Sequence, residues 1–183
     1  AVAGDEYYRS PCVPITRPGG DEEWRVDVQN SGNIPSTRIA LIDVLPSYGD
    51  RGVIIDQVRS SRWAPTFLGD LDVKLSGTAH AADAVVELEY LTTVPATVCN
   101  RLDILAQMTG SPVGPSDLQP GEPASCIAEV NGGRGWLPYD EASMDDDELA
   151  AVKAFRVVVS YQDVGPGVEG LLPGETLTIE YRS

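Results

Sequence analysis

Apolar and polar residues alternate along several short stretches of the chain, which is the pattern of a β-strand with one buried face. The clearest stretch is residues 23–29, where Trp24, Val26 and Val28 fall on one face and charged or amide side chains fall on the other. Shorter apolar runs bounded by glycine, proline or asparagine predict further strands. The predicted strands are residues 23–29, 37–45, 52–58, 71–75, 86–90, 124–130, 155–161 and 176–181.

Helical spacing is much less frequent, and we expect one short helix over residues 143–154. Ser143 suits the N-cap position. The acidic residues 145–147 fall in the first turn, where the helix dipole favours negative charge. Residues 102–108 fit either a short strand or a short helix, and the pattern leaves that choice open.

Proline and glycine are frequent and dispersed, with 14 prolines and 18 glycines. They predict an irregular segment over residues 1–21, a long loop over residues 109–123, and turns between the strands. Roughly eight or nine short strands with a single short helix are typical of an all-β protein. The sequence therefore predicts one domain over residues 1–183, an Ig-like antiparallel β-sandwich with one short connecting helix and a long, loop-rich insertion.

The composition is that of a folded, acidic protein. Hydrophobic residues make up 42% of the chain, and no run of about 18 apolar residues is present to cross a bilayer. Asp and Glu number 28 against 13 Lys and Arg, which gives a net charge of −15. Phosphate backbones and anionic lipids repel such a chain, so we expect no nucleic-acid partner and no membrane insertion.

A strand, an Asn-x-Gly turn and a second strand ending in Asp-x-Leu-Pro occupy residues 26–46, and residues 172–179 form a closing strand. This pattern resembles the Ig-like conserved-repeat modules (DUF11 type) of bacterial adhesins and wall-anchored stalks. The resemblance implies an extracellular, non-catalytic module of the cell surface or cell wall, without a cofactor and excised from a longer surface protein. Its implied partners are neighbouring domains of that protein and a host protein or glycan. Residues 60–150 depart from the pattern and suit a decorated binding face.

Three cysteines, Cys12, Cys99 and Cys126, bear on the compartment in which the protein works. Their odd number, the lack of Cys-x-x-Cys and a single histidine argue against a zinc site. Cys99 and Cys126 flank the Gly/Pro-rich loop, and a disulfide between them would stabilise the fold by roughly 3–4 kcal/mol. We expect that disulfide, with Cys12 free or paired outside this chain. The alternative is three reduced, buried thiols in a cytoplasmic protein.

Large aromatic residues are the candidate ligand contacts. Trp24 belongs to the buried face of the first predicted strand, so we expect a structural role for it. Trp63 and Trp136 lie in loop-like sequence, with Tyr139 close to the second of them. Exposed rings at these positions would stack on a sugar or a protein partner. Rings packed inwards would instead close the ends of the sandwich, and the sequence favours this second alternative.

The chain has no clear catalytic motif. His80 is its single histidine, and neither a Gly-x-Ser-x-Gly elbow nor a Gly-x-x-x-x-Gly-Lys phosphate loop is present. The acidic residues among 140–148 lack the spacing of a calcium-binding EF-hand, and acids at a helix N-terminus explain most of them. An isopeptide bond has only Lys74 and Lys153 available, the first on a polar strand face and the second at a helix end.

Two functions follow as hypotheses, and neither is enzymatic. The first is a structural or adhesive module that projects a ligand-binding face or contributes to one. The second is a carbohydrate-binding module of a secreted enzyme, with Trp63, Trp136 and Tyr139 as ligand contacts. A small hydrolase is a third reading, which requires two carboxylates that converge in a cleft. We assign no catalytic residue, metal ligand or cofactor.

Overall fold

A computed structural model describes residues 19–76, 83–95, 97–161 and 170–183 of the chain. Within these residues it contains seven β-strands and three α-helices. The strands are β1 (Glu23–Gln29), β2 (Arg38–Val44), β3 (Gly69–Leu75), β4 (Ala84–Leu91), β5 (Leu137–Pro138), β6 (Ala154–Tyr161) and β7 (Thr176–Arg182). The helices are α1 (Thr97–Thr109), α2 (Ser125–Asn131) and α3 (Asp146–Ala151).

The strands form two antiparallel sheets, with the orders β1–β7–β3 and β2–β6–β4–β5. In the first sheet Trp24 lies opposite Tyr181. In the second sheet Val44 lies opposite Ala154, which in turn lies opposite Leu91. The two sheets share one apolar core between them, which is the arrangement of a β-sandwich. The prediction of a mostly β, antiparallel, two-sheet fold is confirmed.

Alternation within the strands places the core residues as predicted. In β1, Trp24, Val26 and Val28 pack against the core, while the residues between them are exposed. In the central strands β6 and β7 the residues that face the core are fully buried, and burial of each such side chain contributes roughly 1.5–3 kcal/mol. The fully buried core residues of these two strands are Phe155, Val157, Val159, Leu177 and Ile179.

A helical layer covers the outer face of the second sheet, where the sequence predicts a loop-rich insertion. Helix α1 packs on β2, and a second apolar cluster joins Ile42 and Val44 of β2 to Trp136 and Ala154. Because of this cover, β6 is buried on both faces, including the charged side chain of Arg156. The insertion is therefore an ordered third layer.

Two expectations about this layer are resolved by the structure. The strand expected at residues 124–130 is wrong, because this stretch forms α2. Its buried residues Cys126 and Val130 are four positions apart, which fits one face of a helix, and a short apolar run does not distinguish helix from strand. Residues 102–108 lie within α1.

The strand expected at residues 52–58 is also wrong. This segment makes only an isolated bridge between Arg51 and Val58, and its isoleucines Ile54 and Ile55 are exposed. β-branched residues fit a strand where a neighbouring strand packs and pairs with them. None of the described strands pairs with this segment.

The helix expected at residues 143–154 is present but shorter, since it spans only α3. Its N-cap is Asp145 and not Ser143. The Asp145 carboxylate accepts a hydrogen bond from the Glu148 amide (2.9 Å), and the Glu148 carboxylate accepts one from the Asp145 amide (3.0 Å). This reciprocal capping box gives the acidic run a structural role at the helix start.

Candidate functional site

Trp63 lies at one end of the sandwich. It directly follows residues 47–62, a loop after β2 that we call the finger. The start of β1 and the end of β7 meet at the same place, because Trp24 pairs with Tyr181 across the two strands. The antiparallel register therefore brings Trp24 and Tyr181 together, and the end of the finger adds Trp63.

These three rings form the tryptophan stack, comprising Trp63, Trp24 and Tyr181. The centroids of Trp63 and Trp24 are 5.7 Å apart and those of Trp24 and Tyr181 are 6.3 Å apart, each pair inclined by 13°. Trp24 Nε1 donates a hydrogen bond to Ser183 Oγ (2.8 Å), which fixes the middle ring. Trp63 is 39% exposed at the end of the stack. Such a ring offers apolar surface that suits a sugar ring or an apolar side chain.

A partly buried carboxylate lies beside Tyr181. Tyr181 Oη donates a hydrogen bond to Asp43 Oδ2 (3.2 Å). Burial raises the pKa of Asp43 above its usual range, while the Tyr181 hydrogen bond and the Arg59 charge oppose that shift. Burial and the neighbouring Asp43 charge also raise the pKa of Tyr181, so its phenol stays protonated and remains a donor.

The root of the finger is organised around a second carboxylate, Asp50, which is buried. Asp50 Oδ1 accepts a hydrogen bond from the Ser61 amide (3.0 Å), and Arg59 Nη1 lies 3.5 Å from Asp50 Oδ2. Burial alone would raise the pKa of Asp50, but the hydrogen bonds from Ser61 and the Arg59 charge outweigh it, so the pKa is lowered. Arg59 thus pairs with Asp50 within the finger, and its charge also acts on Asp43 of β2.

Trp136 lies in a different part of the molecule and packs inwards. It is only 8% exposed, within the apolar cluster on the outer face of the second sheet. Its Nε1 donates a hydrogen bond to Asp103 Oδ2 (2.8 Å), and the Arg156 guanidinium lies 4.8 Å from its ring centroid, a cation–π contact. These contacts give Trp136 a structural position, and it does not join the tryptophan stack.

Charged and amide side chains form a buried polar clamp between the helical layer and the second sheet. Asp103 Oδ1 accepts a hydrogen bond from Arg156 Nη1 (2.6 Å), and Asp103 Oδ2 lies 3.5 Å from Arg134 Nη1. Arg134 Nη1 also donates to Asn100 Oδ1 (2.7 Å), while Arg156 Nε donates to Glu89 Oε2 (2.7 Å). The polar clamp comprises Glu89, Asn100, Asp103, Arg134 and Arg156.

Sequence reasoning missed the polar clamp, although two signals for it exist. Asn100 and Asp103 are three residues apart and so share one face of α1, but they form a pair only once the helix is known. Strand β6 carries apolar residues on both faces, which indicates that both faces are covered and that Arg156 needs a buried partner. The clamp also reaches the finger, because Asn100 Nδ2 donates a hydrogen bond to the Val53 carbonyl (2.7 Å).

Tyr139 belongs to the core and not to a shared aromatic surface. Its ring packs edge-on against Phe67 and Tyr90, with centroid distances of 6.0 and 6.3 Å. Its Oη donates a hydrogen bond to Glu141 Oε2 (2.6 Å). The three predicted ligand contacts, Trp63, Trp136 and Tyr139, thus have different neighbours, and the structure does not assemble them into one site.

Cys99 of α1 and Cys126 of α2 form the predicted disulfide, with their Cα atoms 5.2 Å apart and a sequence separation of 27. Both are buried in a third apolar cluster with Leu102, Val113 and Val130. The disulfide closes the Gly/Pro-rich loop, as expected from its position.

Other residues singled out from the sequence have ordinary partners or lie outside the described residues. Lys74 pairs with Asp72 (3.3 Å) and with Glu180, while Lys153 Nζ donates to the Ala150 carbonyl (3.3 Å). Within the described ranges, no group of three or more histidine, cysteine or acidic side chains is placed to hold a metal ion. Cys12 and His80 lie outside those ranges.

Comparison with known proteins assigns no family to the chain. No family model, curated protein or solved structure matches it. None of the helices in the described residues is both long and apolar enough to cross a membrane. The observations that bear on function are therefore the disulfide, the polar clamp and the tryptophan stack.

Proposed function

We propose that this chain is a non-catalytic, Ig-like structural and adhesive module of a bacterial cell-surface protein. The observation that carries the proposal is the Cys99–Cys126 disulfide, which joins two helices of the outer layer. Disulfides form and persist in oxidising environments outside the cytoplasm and are rare within it. The resemblance of residues 26–46 and 172–179 to bacterial surface modules supports the same location. The partners of the module are neighbouring domains of that protein and a host protein or glycan.

The surroundings of the disulfide support a permanent crosslink. Cys99 is 2% exposed and Cys126 is fully buried beneath Leu102, Val113 and Val130. Thiol–disulfide exchange requires a thiolate to reach one of the sulfur atoms, and access limits its rate. A reductant therefore attacks this disulfide only after the helical layer opens, which suits a structural crosslink better than a catalytic one.

The polar clamp supports a projecting role. It ties α1 to β6 through Asp103 and Arg156, and it ties α1 to the finger through Asn100 and Val53. Separating the partners of such a buried ion pair leaves an uncompensated charge, which disfavours other arrangements of the layers. The polar clamp therefore holds the finger in a fixed position on the surface of the module.

Cell-surface labelling tests this proposal. An antibody raised against this chain is expected to label intact cells of the source bacterium, and protease added outside the cells is expected to remove the signal. A cytoplasmic protein, probed in parallel, serves as the control and becomes accessible only after permeabilisation. Labelling of this chain that also requires permeabilisation would contradict a surface location.

A specific observation favours carbohydrate binding as a second candidate function. Trp63 is 39% exposed and is held almost parallel to Trp24, so its position is fixed before a ligand arrives. Fixed aromatic rings of this kind stack on sugars with little loss of conformational entropy. The chain would then be the carbohydrate-binding module of a secreted enzyme. Trp63 is then the proposed ligand contact, since Trp136 is buried and Tyr139 packs against the core.

A glycan array tests carbohydrate binding at the tryptophan stack. Carbohydrate binding predicts that the wild-type chain binds a defined set of glycans and that Trp63→Ala loses this binding. Tyr48→Ala is the matched control, because Tyr48 is an exposed aromatic residue outside the tryptophan stack. Equal binding by Trp63→Ala and the wild type would exclude the stack as a sugar site.

A further inference from the structure

The start of β1 and the end of β7 lie side by side. These two strands are antiparallel neighbours, so the chain enters β1 at the same end of the sandwich at which it leaves β7. The Glu22 amide donates a hydrogen bond to the Ser183 carbonyl (2.8 Å), and the Ser183 amide donates one to the Glu22 carbonyl (3.0 Å). In a longer protein, the segments joined to these two residues therefore meet the sandwich at one end.

This placement determines how the module is attached within a longer chain. Neighbouring entry and exit points are those of a domain that is inserted into another chain as a side branch. The seven residues of β1 lead away from the attachment point by about 23 Å, at about 3.3 Å per residue. The module thus projects sideways from the line of the parent chain and does not form a link in that line.

Tension along such a parent chain acts on β1 and β7 at the end where the chain enters and leaves. Force applied there pulls the two strands apart sideways, along the direction of the hydrogen bonds, which run perpendicular to the strands of an antiparallel pair. The residue pairs are therefore loaded one after another, beginning with Glu22 and Ser183. Force applied to opposite ends of the two strands would instead load all of their pairs together, in shear.

Strand β1 is held less firmly than β7. In the sheet order β1–β7–β3, β1 pairs with a described strand on one side only, whereas β7 is paired on both sides. The end of β7 is also held across the sandwich, because Tyr181 Oη donates to Asp43 Oδ2 (3.2 Å). Beside it, the Leu68 amide donates to the Arg182 carbonyl (2.9 Å). Sideways force therefore separates β1 from the sheet first.

The tryptophan stack lies where this separation begins. Trp24, its middle ring, is the second residue of β1 and lies opposite Tyr181. Trp24 Nε1 donates to Ser183 Oγ (2.8 Å), and this hydrogen bond breaks as soon as the two strand ends part. Trp63 follows the finger and does not move with β1. Separation of the first residue pairs thus removes Trp24 from between Trp63 and Tyr181.

Asn30 anchors the opposite end of β1. Its Nδ2 donates to the Ile34 carbonyl (2.9 Å) and to the Leu171 carbonyl (2.8 Å). Its amide donates to the Glu175 carbonyl (2.9 Å), and its carbonyl accepts from the Gly174 amide (2.7 Å). Separation that starts at Glu22 reaches these four hydrogen bonds last. They hold the strand in register, so β1 can pair with β7 again when the tension falls.

We propose that this module is a tension-sensitive side branch, in which tension along the parent protein peels β1 from β7 and dismantles the tryptophan stack. A ligand bound on the stacked Trp63 ring is then released under tension. The tension response deepens the proposed surface function and rests on it, because a surface protein that holds a partner is pulled between that partner and the cell.

The tension response and the surface location are measured separately. A module that does not open at the β1–β7 pair would overturn the tension response and leave the surface location standing. Surface labelling that requires permeabilisation would overturn the location and leave the mechanical result valid.

Single-molecule force spectroscopy of the whole chain tests the peeling. The chain is held between two marker domains of known unfolding force, one fused to each terminus, with Cys12→Ser to prevent mispairing. We expect a reversible first step before the rest of the module unfolds. Its force is expected to be lower than when β1 and β7 are loaded in shear, with the second handle moved to Pro173→Cys. Pro173 is exposed and precedes β7, at the opposite end of that strand.

A disulfide across the strands provides the matched comparison. Glu23 and Arg182 lie opposite each other, next to the hydrogen-bonded pair at the strand ends. They therefore form a non-hydrogen-bonded pair, whose Cα separation of about 4.5 Å suits a disulfide. Glu23→Cys/Arg182→Cys is expected to abolish the first step until the disulfide is reduced. Gln29→Cys/Thr176→Cys, at the far end of the same two strands, is the control and is expected to retain a first step at the wild-type force.

Trp63→Ala links the first step to the tryptophan stack. Trp63 stacks on Trp24 but lies outside β1 and β7, so its removal leaves the strand pairing intact and weakens the hold on Trp24. We expect the force of the first step to fall in this variant. Tyr48→Ala is the control, because Tyr48 is exposed and outside the stack, and it is expected to match the wild type.

Three results would overturn the proposal. They are equal opening forces in the two pulling geometries, a first step that persists with the Glu23→Cys/Arg182→Cys disulfide formed, and a first step whose force is unchanged in Trp63→Ala. Mass spectrometry confirms that each disulfide forms. Arg25→Cys/Glu180→Cys, the next non-hydrogen-bonded pair, replaces the first variant if its disulfide does not form.

Discussion

Asp103 is the residue through which the helical layer is tied to the second sheet. Its carboxylate contacts Arg156 at 2.6 Å and Trp136 at 2.8 Å, and it lies 3.5 Å from Arg134. The Asp103 side chain is 1% exposed, so water does not replace these partners. Removing the carboxylate leaves two guanidinium groups short of their counter-charge in a buried site.

We predict that Asp103→Ala lowers the free energy of unfolding by roughly 3–5 kcal/mol, the range for breaking a buried ion pair from one side. Asp72→Ala is the control, because Asp72 pairs with Lys74 at the surface and such exposed, solvent-screened pairs contribute little to stability. Urea unfolding followed by circular dichroism measures both. Similar small losses in the two variants would show that the polar clamp does not hold the layer.

The raised pKa of Asp43 predicts how the stability of the protein changes with pH. Burial raises its pKa in the folded protein, so the folded state binds a proton more tightly than the unfolded state does. Between the unfolded and folded pKa values, stability therefore falls as the pH rises, and at neutral pH the ionised carboxylate is a cost. Asp43→Asn retains an acceptor for Tyr181 and removes that cost.

We expect Asp43→Asn to be more stable than the wild type at neutral pH, and the gain to shrink as the pH falls toward the ordinary aspartate pKa of 3.8. Urea unfolding of both proteins across this pH range measures the difference. A gain that stays constant with pH would show that Asp43 titrates normally. Loss of stability at neutral pH would show that its attraction to Arg59 outweighs its burial.

At the scale of elements, alternation identifies the strands that form the core. Strands β1, β6 and β7 each bury every second residue toward the space between the sheets, and this period of two can be read directly from the sequence. The pattern also predicts β3, which begins two residues before its predicted start. The pattern does not predict which strands pair with each other, because the order β2–β6–β4–β5 depends on contacts between residues distant in the chain.

The errors occur where tertiary contacts decide the local structure. Residues 52–58 have strand-forming side chains but project as the tip of the finger, without a partner strand. Residues 124–130 form a helix whose position depends on the disulfide to α1. The polar clamp could not be predicted for the same reason, since it joins α1, β4 and β6. Trp63 could be identified as a candidate, but its stacking partner Trp24 required the fold.

The disulfide makes a prediction for the helical layer. We expect Cys99→Ser/Cys126→Ser to lose roughly 3–4 kcal/mol of stability, as estimated for a closed loop of this length. Hydrogen exchange is expected to quicken most in α1 and α2, because the disulfide joins these helices directly. Cys12→Ser controls for the loss of a cysteine as such. If hydrogen exchange quickened equally in β6 and β7, the helical layer would not open separately from the sandwich.

At the scale of the whole molecule, the two sheets and the helical layer have different roles. The sandwich provides the core, the helical layer braces one sheet through the polar clamp and the disulfide, and two surfaces remain for contacts. These are the exposed ring of Trp63 and the apolar finger. Because the clamp reaches the finger through Val53, a change in the layer is expected to alter the position of the finger.

The thiol state of the native protein tests the central claim, a disulfide-braced module that works outside the cytoplasm. We would measure its intact mass before and after reduction, with alkylation of free thiols in denaturant. The account predicts a non-reduced mass lower by two hydrogens than that of the reduced chain, with Cys99 and Cys126 protected from alkylation until reduction. All three cysteines alkylated without reduction, and no change in mass, would contradict it.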